Sequence, residues 1–102
     1  YNVAWSGERS LDAQGNLPAV GNTVNLQTGH YANSVGAASL SAFWRDPNFD
    51  PAVSAFYYVR VLEIPTPRHT LLDAIALGLD RPEEGQTTIQ ERAYSSPIWY
   101  QP

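Results

Sequence analysis

Residues 55–64, Ala-Phe-Tyr-Tyr-Val-Arg-Val-Leu-Glu-Ile, form the longest run of β-branched and aromatic side chains in the sequence. Such side chains pack well on a pleated surface and lose rotamer freedom in a helix, so the run predicts a β-strand. Phe56, Tyr58, Leu62 and Ile64 fall on one face of that strand, and Tyr57, Val59 and Val61 on the other. Both faces are apolar, which suits a strand covered on both sides. Arg60 interrupts the first face, and a guanidinium buried there requires partners, because an unpaired buried charge is costly. The strand is the natural centre of the fold, and the remaining segments read as its partners.

At 102 residues the chain makes one domain at most, predicted as a single β-rich domain over residues 1–102. A hydrophobic fraction of 43% marks it as globular rather than disordered. Charged residues are only 16%, low for a free-standing small domain. Either another protein segment covers one face, or much of the surface is neutral loop. The net charge of -4 and the absence of any Lys/Arg cluster exclude a nucleic-acid backbone as partner. No apolar run approaches membrane-spanning length. Without Cys there are no disulfides, thiolates or Cys-based zinc sites. Tyr1-Asn2-Val3-Ala4-Trp5 already alternates like a strand, with Tyr1, Val3 and Trp5 facing a core. A chain that starts inside a strand is expected to be a segment of a longer protein.

Further along, residues 6–22 carry Gly15-Asn16, Pro18 and Gly21-Asn22 and predict a loop. Alternation predicts strands at Thr23–Thr28 and Ala37–Trp44, and Asp46–Pro51 reads as a rigid Asp-Pro turn. Ile64-Pro65-Thr66-Pro67 stops the central strand. A helix is predicted over about 70–79, with Thr70 as N-cap, Asp73 in its first turn, and Leu71, Leu72, Ile75 and Leu79 as its apolar stripe. Gly78 lies near its C-terminal cap. Residues 81–86 form a polar loop, Thr87–Tyr94 is extended, and Pro97–Tyr100 is a short last strand. The predicted fold class is mainly β, an antiparallel sandwich-like sheet with one short inserted helix.

Few residues carry chemistry. Asp46, Asn48 and Asp50 start with the spacing of a calcium loop, but Pro51 stands where the sharp turn needs Gly and Tyr57 where a bidentate Glu is required. A structural turn is the better reading. His30 and His69 are far apart and lack neighbours at ligand spacing, so no metal site and no cofactor are expected within this chain. No Gly-x-Ser-x-Gly elbow and no phosphate-cradling Gly-rich loop occur, and Glu83-Glu84 reads as solvated loop. No catalytic residue is assigned. Glu63, Arg68 and His69 remain as candidate substrate-binding residues, because stiff prolines can aim polar groups from a strand end into a pocket. A structural ion pair of Glu63 with Arg60, Arg68 or Arg92 is the competing reading. The three Trp and six Tyr would serve as core, or as a platform for sugar rings.

Several stretches taken together resemble the carboxy-terminal end of the domain-of-unknown-function 3604 family. They are Tyr1 through Gly7, Val20 through Val24, Gly36 through Trp44 with Asp46-Pro47, Ala55 through Arg68, and Gln90 through Tyr100. Ile64-Pro65-Thr66-Pro67-Arg68 and Ser95-Ser96-Pro97-Ile98-Trp99 are the most specific parts. His69 departs from the aromatic residue expected at its place. The resemblance implies the last part of a longer bacterial protein, often exported, hence periplasmic or secreted. It implies similarity to metal-dependent hydrolases of the polymerase-and-histidinol-phosphatase kind, with metal ligands upstream of these residues. It also implies that residues 57–61 and 95–99 form the closing hairpin of an accessory β-sandwich, stretched by an insertion over 65–94. The expected role is a non-catalytic β segment that supports the hydrolase core and its substrate pocket. A glycan- or protein-binding module is the alternative, or an assembly segment. The expected partners are the remainder of a parent chain or a second copy joined through open strand edges.

Overall fold

Two stretches, residues 55–67 and 88–100, run antiparallel as one long ribbon with a helix at its tip. A computed structural model describes residues 1–80, 82 and 85–102. Arg81 and the Glu83-Glu84 pair, part of the predicted polar loop, lie outside the described residues. On the outgoing arm lie β1 (Ala55–Tyr57), β2 (Arg60–Leu62) and β3 (Thr66–Pro67), followed by helix α1 (His69–Ala76). The returning arm carries β4 (Thr88–Ile89), β5 (Arg92–Tyr94) and β6 (Ile98–Tyr100). The pairs are β1 with β6, β2 with β5 and β3 with β4, all antiparallel. The mainly β, antiparallel class with one short helix is therefore what the structure shows, as three two-stranded ladders. The pairing of residues 55–62 with 92–100 is the hairpin that the resemblance implied.

The single strand predicted over 55–64 is interrupted, and the register explains why. Tyr57 opposes Ile98 and Arg60 opposes Tyr94, so two residues face three, Ser95-Ser96-Pro97. Leu62 opposes Arg92 and Thr66 opposes Ile89, so three residues, Glu63-Ile64-Pro65, face two. Each arm thus carries one extra residue, and the two bulges cancel. Both hold a proline, which has no N–H to give the ladder. Side chains repair the first break: the Ser95 hydroxyl accepts from Val59 N at 2.9 Å and Ser95 N donates to Val59 O at 2.9 Å. At the second, Glu63 N donates to Glu91 O at 3.0 Å and the Gln90 amide donates to Glu63 O at 2.9 Å. Pro65 and Pro67 therefore bend the ribbon rather than ending it, which corrects the predicted stop.

Helix α1 starts and ends differently from expectation. Its N-cap is Arg68, without a side-chain hydrogen bond to the first turn. Thr70 is already helical, and its hydroxyl instead donates to Gln86 O at 2.8 Å, tying the helix to the returning arm. Asp73 lies beyond the first turn, where no acidic residue occurs. The C-terminus closes with the double hydrogen bond of a Schellman cap: Leu79 N donates to Ala74 O and Gly78 N to Ile75 O. Gly78 takes φ +68 there, a conformation that a side chain would strain. Leu71 and Ala74 are the buried hydrophobic residues, at 2% and 3% exposure, whereas Leu72 and Leu79 of the predicted stripe are exposed.

Residues 1–54 contain neither strand nor helix. The strands predicted at 1–5, 23–28 and 37–44 are absent, because none finds a neighbouring backbone to pair with. Tyr1 and Val3 are exposed rather than core-facing. This half forms a strap laid out and back along the ribbon. Near the root, Tyr1 packs against Trp44 with centroids 5.1 Å apart and ring planes tilted by 44°, and its hydroxyl accepts from the Asn48 amide. Asn22 reaches Thr88, and Gly29 reaches the helix, where an added Cβ would lie 2.6 Å from Leu72 Cδ2. The strap turns at Asn25–His30 and returns past Ile64, Tyr57 and Tyr100.

The result is elongated, 60 × 27 × 25 Å, with a radius of gyration of 18.3 Å. A compact chain of this length has about 13 Å. It exposes 8340 Å², where a compact domain of this size exposes about 5700 Å².

Candidate functional site

The two faces of the ribbon root differ. On one, the strap packs on Tyr57 and Tyr100, while Ile98 opposite Tyr57 stays 74% exposed. Tyr57 donates its hydroxyl to Asp46 Oδ2 at 2.8 Å, and Trp44 meets its ring edge-on at 6.3 Å. Tyr100 donates to Pro51 O at 2.9 Å and meets Phe49 edge-on at 4.9 Å. The hydrogen bond to Asp46, then burial and the carboxylate charge, push the Tyr57 phenol above its ordinary pKa. The Asp46–Pro51 stretch is the structural turn expected. Asp46 Oδ1 accepts from Asn48 N and Asp50 Oδ1 from Ala52 N, so these carboxylate oxygens bind backbone amides.

The other face is bare and aromatic. Cross-strand partners and residues two apart share a face, so Phe56, Tyr58, Arg60 and Leu62 align with Trp99, Tyr94 and Arg92. The rings form a continuous row: Trp99 lies 5.2 Å from Phe56, Phe56 6.2 Å from Tyr58, and Tyr58 6.1 Å from Tyr94. Phe56 and Tyr58 are within 12° of parallel. Trp99 is 68% exposed, Phe56 55%, Tyr58 54% and Tyr94 58%. Arg60, expected as a buried guanidinium, is exposed beside them.

Beyond the row, toward the tip, lie two adjoining shallow hollows of about 300 and 350 Å³. Both are lined by Gln86, Ile89, Gln90 and Arg92. Arg68 and Glu91 complete the second. Of the three residues singled out in the sequence, Arg68 lines this concavity, its N–H held by Thr87 O at 2.9 Å. Glu63 is exposed in the bulge, tied to the hollow through the Gln90 amide on its carbonyl. His69 is exposed at the first helical position and does not line either hollow. Gln86 and Gln90 carry no signal in the sequence, and Arg92 is expected there only as an ion-pair partner of Glu63; the ribbon register is what brings them to Arg68. No three His, Cys, Asp or Glu among the described residues form a metal-holding group.

A third constellation lies in the strap. Asp12 Oδ1 accepts from Gln14 N and Asn16 N, and Oδ2 from the Asn16 amide. The hydrogen bonds from Asn16, backbone first and side chain second, hold the Asp12 carboxyl below its usual range against the opposing effect of burial. This is a self-contained turn rather than a ligand site.

Fold and surface together define a class: a mainly β, antiparallel ribbon-and-strap segment with a bare aromatic face. The family model described as "Protein of unknown function (DUF3604)" matches residues 1–102, and the chain belongs to that family. No curated protein and no solved structure matches it. No helix among the described residues is long and apolar enough to cross a membrane.

Proposed function

We propose that this chain is the non-catalytic carboxy-terminal β segment of a longer metal-dependent hydrolase. In that role its bare face seats on the rest of the protein, and the Arg68 end of the ribbon supports a substrate pocket. The observation that carries the reading is the row Trp99–Phe56–Tyr58–Tyr94, with every ring more than half exposed. Covering the exposed part of four such side chains removes on the order of 400 Å² of apolar area. At 25 cal/mol per Å² that is worth about 10 kcal/mol gross. A separate partner would lose about 4–15 kcal/mol to association, so this row alone leaves little net affinity for one. A body tethered to the same chain avoids most of that loss, which favours a parent chain as the occupant.

A glycan platform is the second reading, favoured by the near-parallel Phe56 and Tyr58 rings. Two experiments separate the readings. Purified residues 1–102 are expected to turn over no phosphate or sulfate ester, and hydrolysis by this chain alone contradicts a non-catalytic role. Titration with neutral oligosaccharides is expected to leave Trp99 fluorescence unchanged. A saturable change at Trp99 would replace the docking reading with the glycan one.

A further inference from the structure

We propose that the paired hollows between Arg68 and Arg92 form an anion-binding site, which takes the carboxylate, sulfate or phosphate group of a small ligand. The inference stands on the concavity alone and does not depend on what covers the aromatic row.

The whole chain carries net charge -4, and its six cationic side chains are all Arg. Two of those six, Arg68 and Arg92, line one hollow, from opposite arms of the ribbon. A guanidinium stays charged at any working pH and offers a planar fork of donors that matches two oxygens of an oxyanion. Gln86 and Gln90 add amide groups between the two. The Gln90 amide uses one N–H on Glu63 O and keeps a second. Among the described lining residues of that hollow the two arginines stand against one carboxylate, Glu91. A volume of about 300 Å³ admits a small ligand group rather than a chain.

The frame is fixed from several directions. Arg68 N–H is held by Thr87 O, Gln86 O by the Thr70 hydroxyl, and Arg92 by the β2–β5 ladder opposite Leu62. Pro65 of the Glu63-Ile64-Pro65 bulge lines the first hollow, and Glu63 ties the two arms together there through Glu91 O and the Gln90 amide.

The experiment is a titration of residues 1–102 with sodium sulfate, phosphate and acetate at constant ionic strength held with chloride, followed by amide and Arg Nε resonances. The expected result is saturable shifts confined to residues 86–92 and Arg68, with an apparent Kd in the millimolar range, on the order of 1–10 mM. R92Q and R68Q are each expected to weaken binding about tenfold. R45Q, remote from the hollow, is expected to leave binding unchanged. Should R92Q disturb the ladder, Q86A/Q90A provides the second arm. It keeps both charges and is expected to lower the preference for oxyanion over chloride. The rank among the three anions identifies the ligand group. Non-saturating shifts that spread to Arg9 and Arg45 would overturn the proposal, as would equal binding by R92Q. Neither result bears on the docking of the aromatic row, which has its own test.

Discussion

The two faces of the ribbon root are built from the same kind of residue and end in opposite states. Tyr57 and Tyr100 lie under the strap with their hydroxyls hydrogen-bonded. Trp99, Phe56, Tyr58 and Tyr94 touch one another and face outward. Composition therefore does not decide which face is covered; the course of residues 1–54 does. The strap packs on Tyr57 and Tyr100 of one face and on the tip, and it leaves the row Trp99, Phe56, Tyr58 and Tyr94 open.

The contrast can be broken by substitution, and the expected effects fall in order. Leu71→Ala removes the most buried large side chain of the helix and is expected to cost about 2–3 kcal/mol in urea unfolding. A change below about 0.5 kcal/mol would mean that the helix does not pack on the rest of this chain. Gly78→Ala places a side chain on a positive-φ cap and is expected to cost about 1 kcal/mol by the same measurement. On the bare face, Trp99→Ser is expected to change the stability of the isolated chain by no more than about 0.5 kcal/mol, since a surface substitution there forfeits little burial. A loss comparable to that of Leu71→Ala would show that the row is packed within this chain.

Two titrations sharpen the covered side. The Tyr57 pKa is raised in the folded state, so its hydrogen bond contributes stability fully present below the ordinary tyrosine pKa. That contribution is lost as pH rises through the folded value. Tyr57→Phe is therefore expected to flatten the alkaline limb of the thermal unfolding profile. The Asp12 pKa is lowered, so its contribution is present above the ordinary carboxylate value and is lost as pH falls through the folded one. Protection of the Gln14 and Asn16 amides, taken relative to the intrinsic exchange rate at each pH, is expected to fall over that acidic window, and Asp12→Asn to remove this fall.

Much of the ribbon was legible in the sequence. The β-branched and aromatic run at 55–64, the extended stretch before Tyr94 and the terminal Ile98–Tyr100 strand all lie where composition placed them. The helix was legible from Leu71 and Ile75 with Gly78 behind them, although its first turn was misjudged, since Thr70 spends its hydroxyl on Gln86 rather than on a cap. The strands expected at Tyr1–Trp5, Thr23–Thr28 and Ala37–Trp44 failed for one reason. Alternation describes how side chains would point on a strand, whereas a strand exists only where a second backbone supplies hydrogen bonds. The bulges were invisible because they arise from relative register, which prolines at 65 and 97 hint at but do not define. Register also explains the partial success at the site. Arg68 could be picked from its proline turn, while Arg92 and Gln90 join it only through pairing with Leu62 and the Glu63 bulge.

The central claim is that the bare aromatic face is a docking face. Hydroxyl-radical footprinting tests it most directly, on residues 1–102 alone and on the protein isolated from its natural source. Trp99, Tyr58 and Tyr94 are expected to be modified readily in the isolated chain and to be protected in the native protein, with Trp44 modified equally in both. Equal modification of Trp99, Tyr58 and Tyr94 in the two preparations would contradict the account.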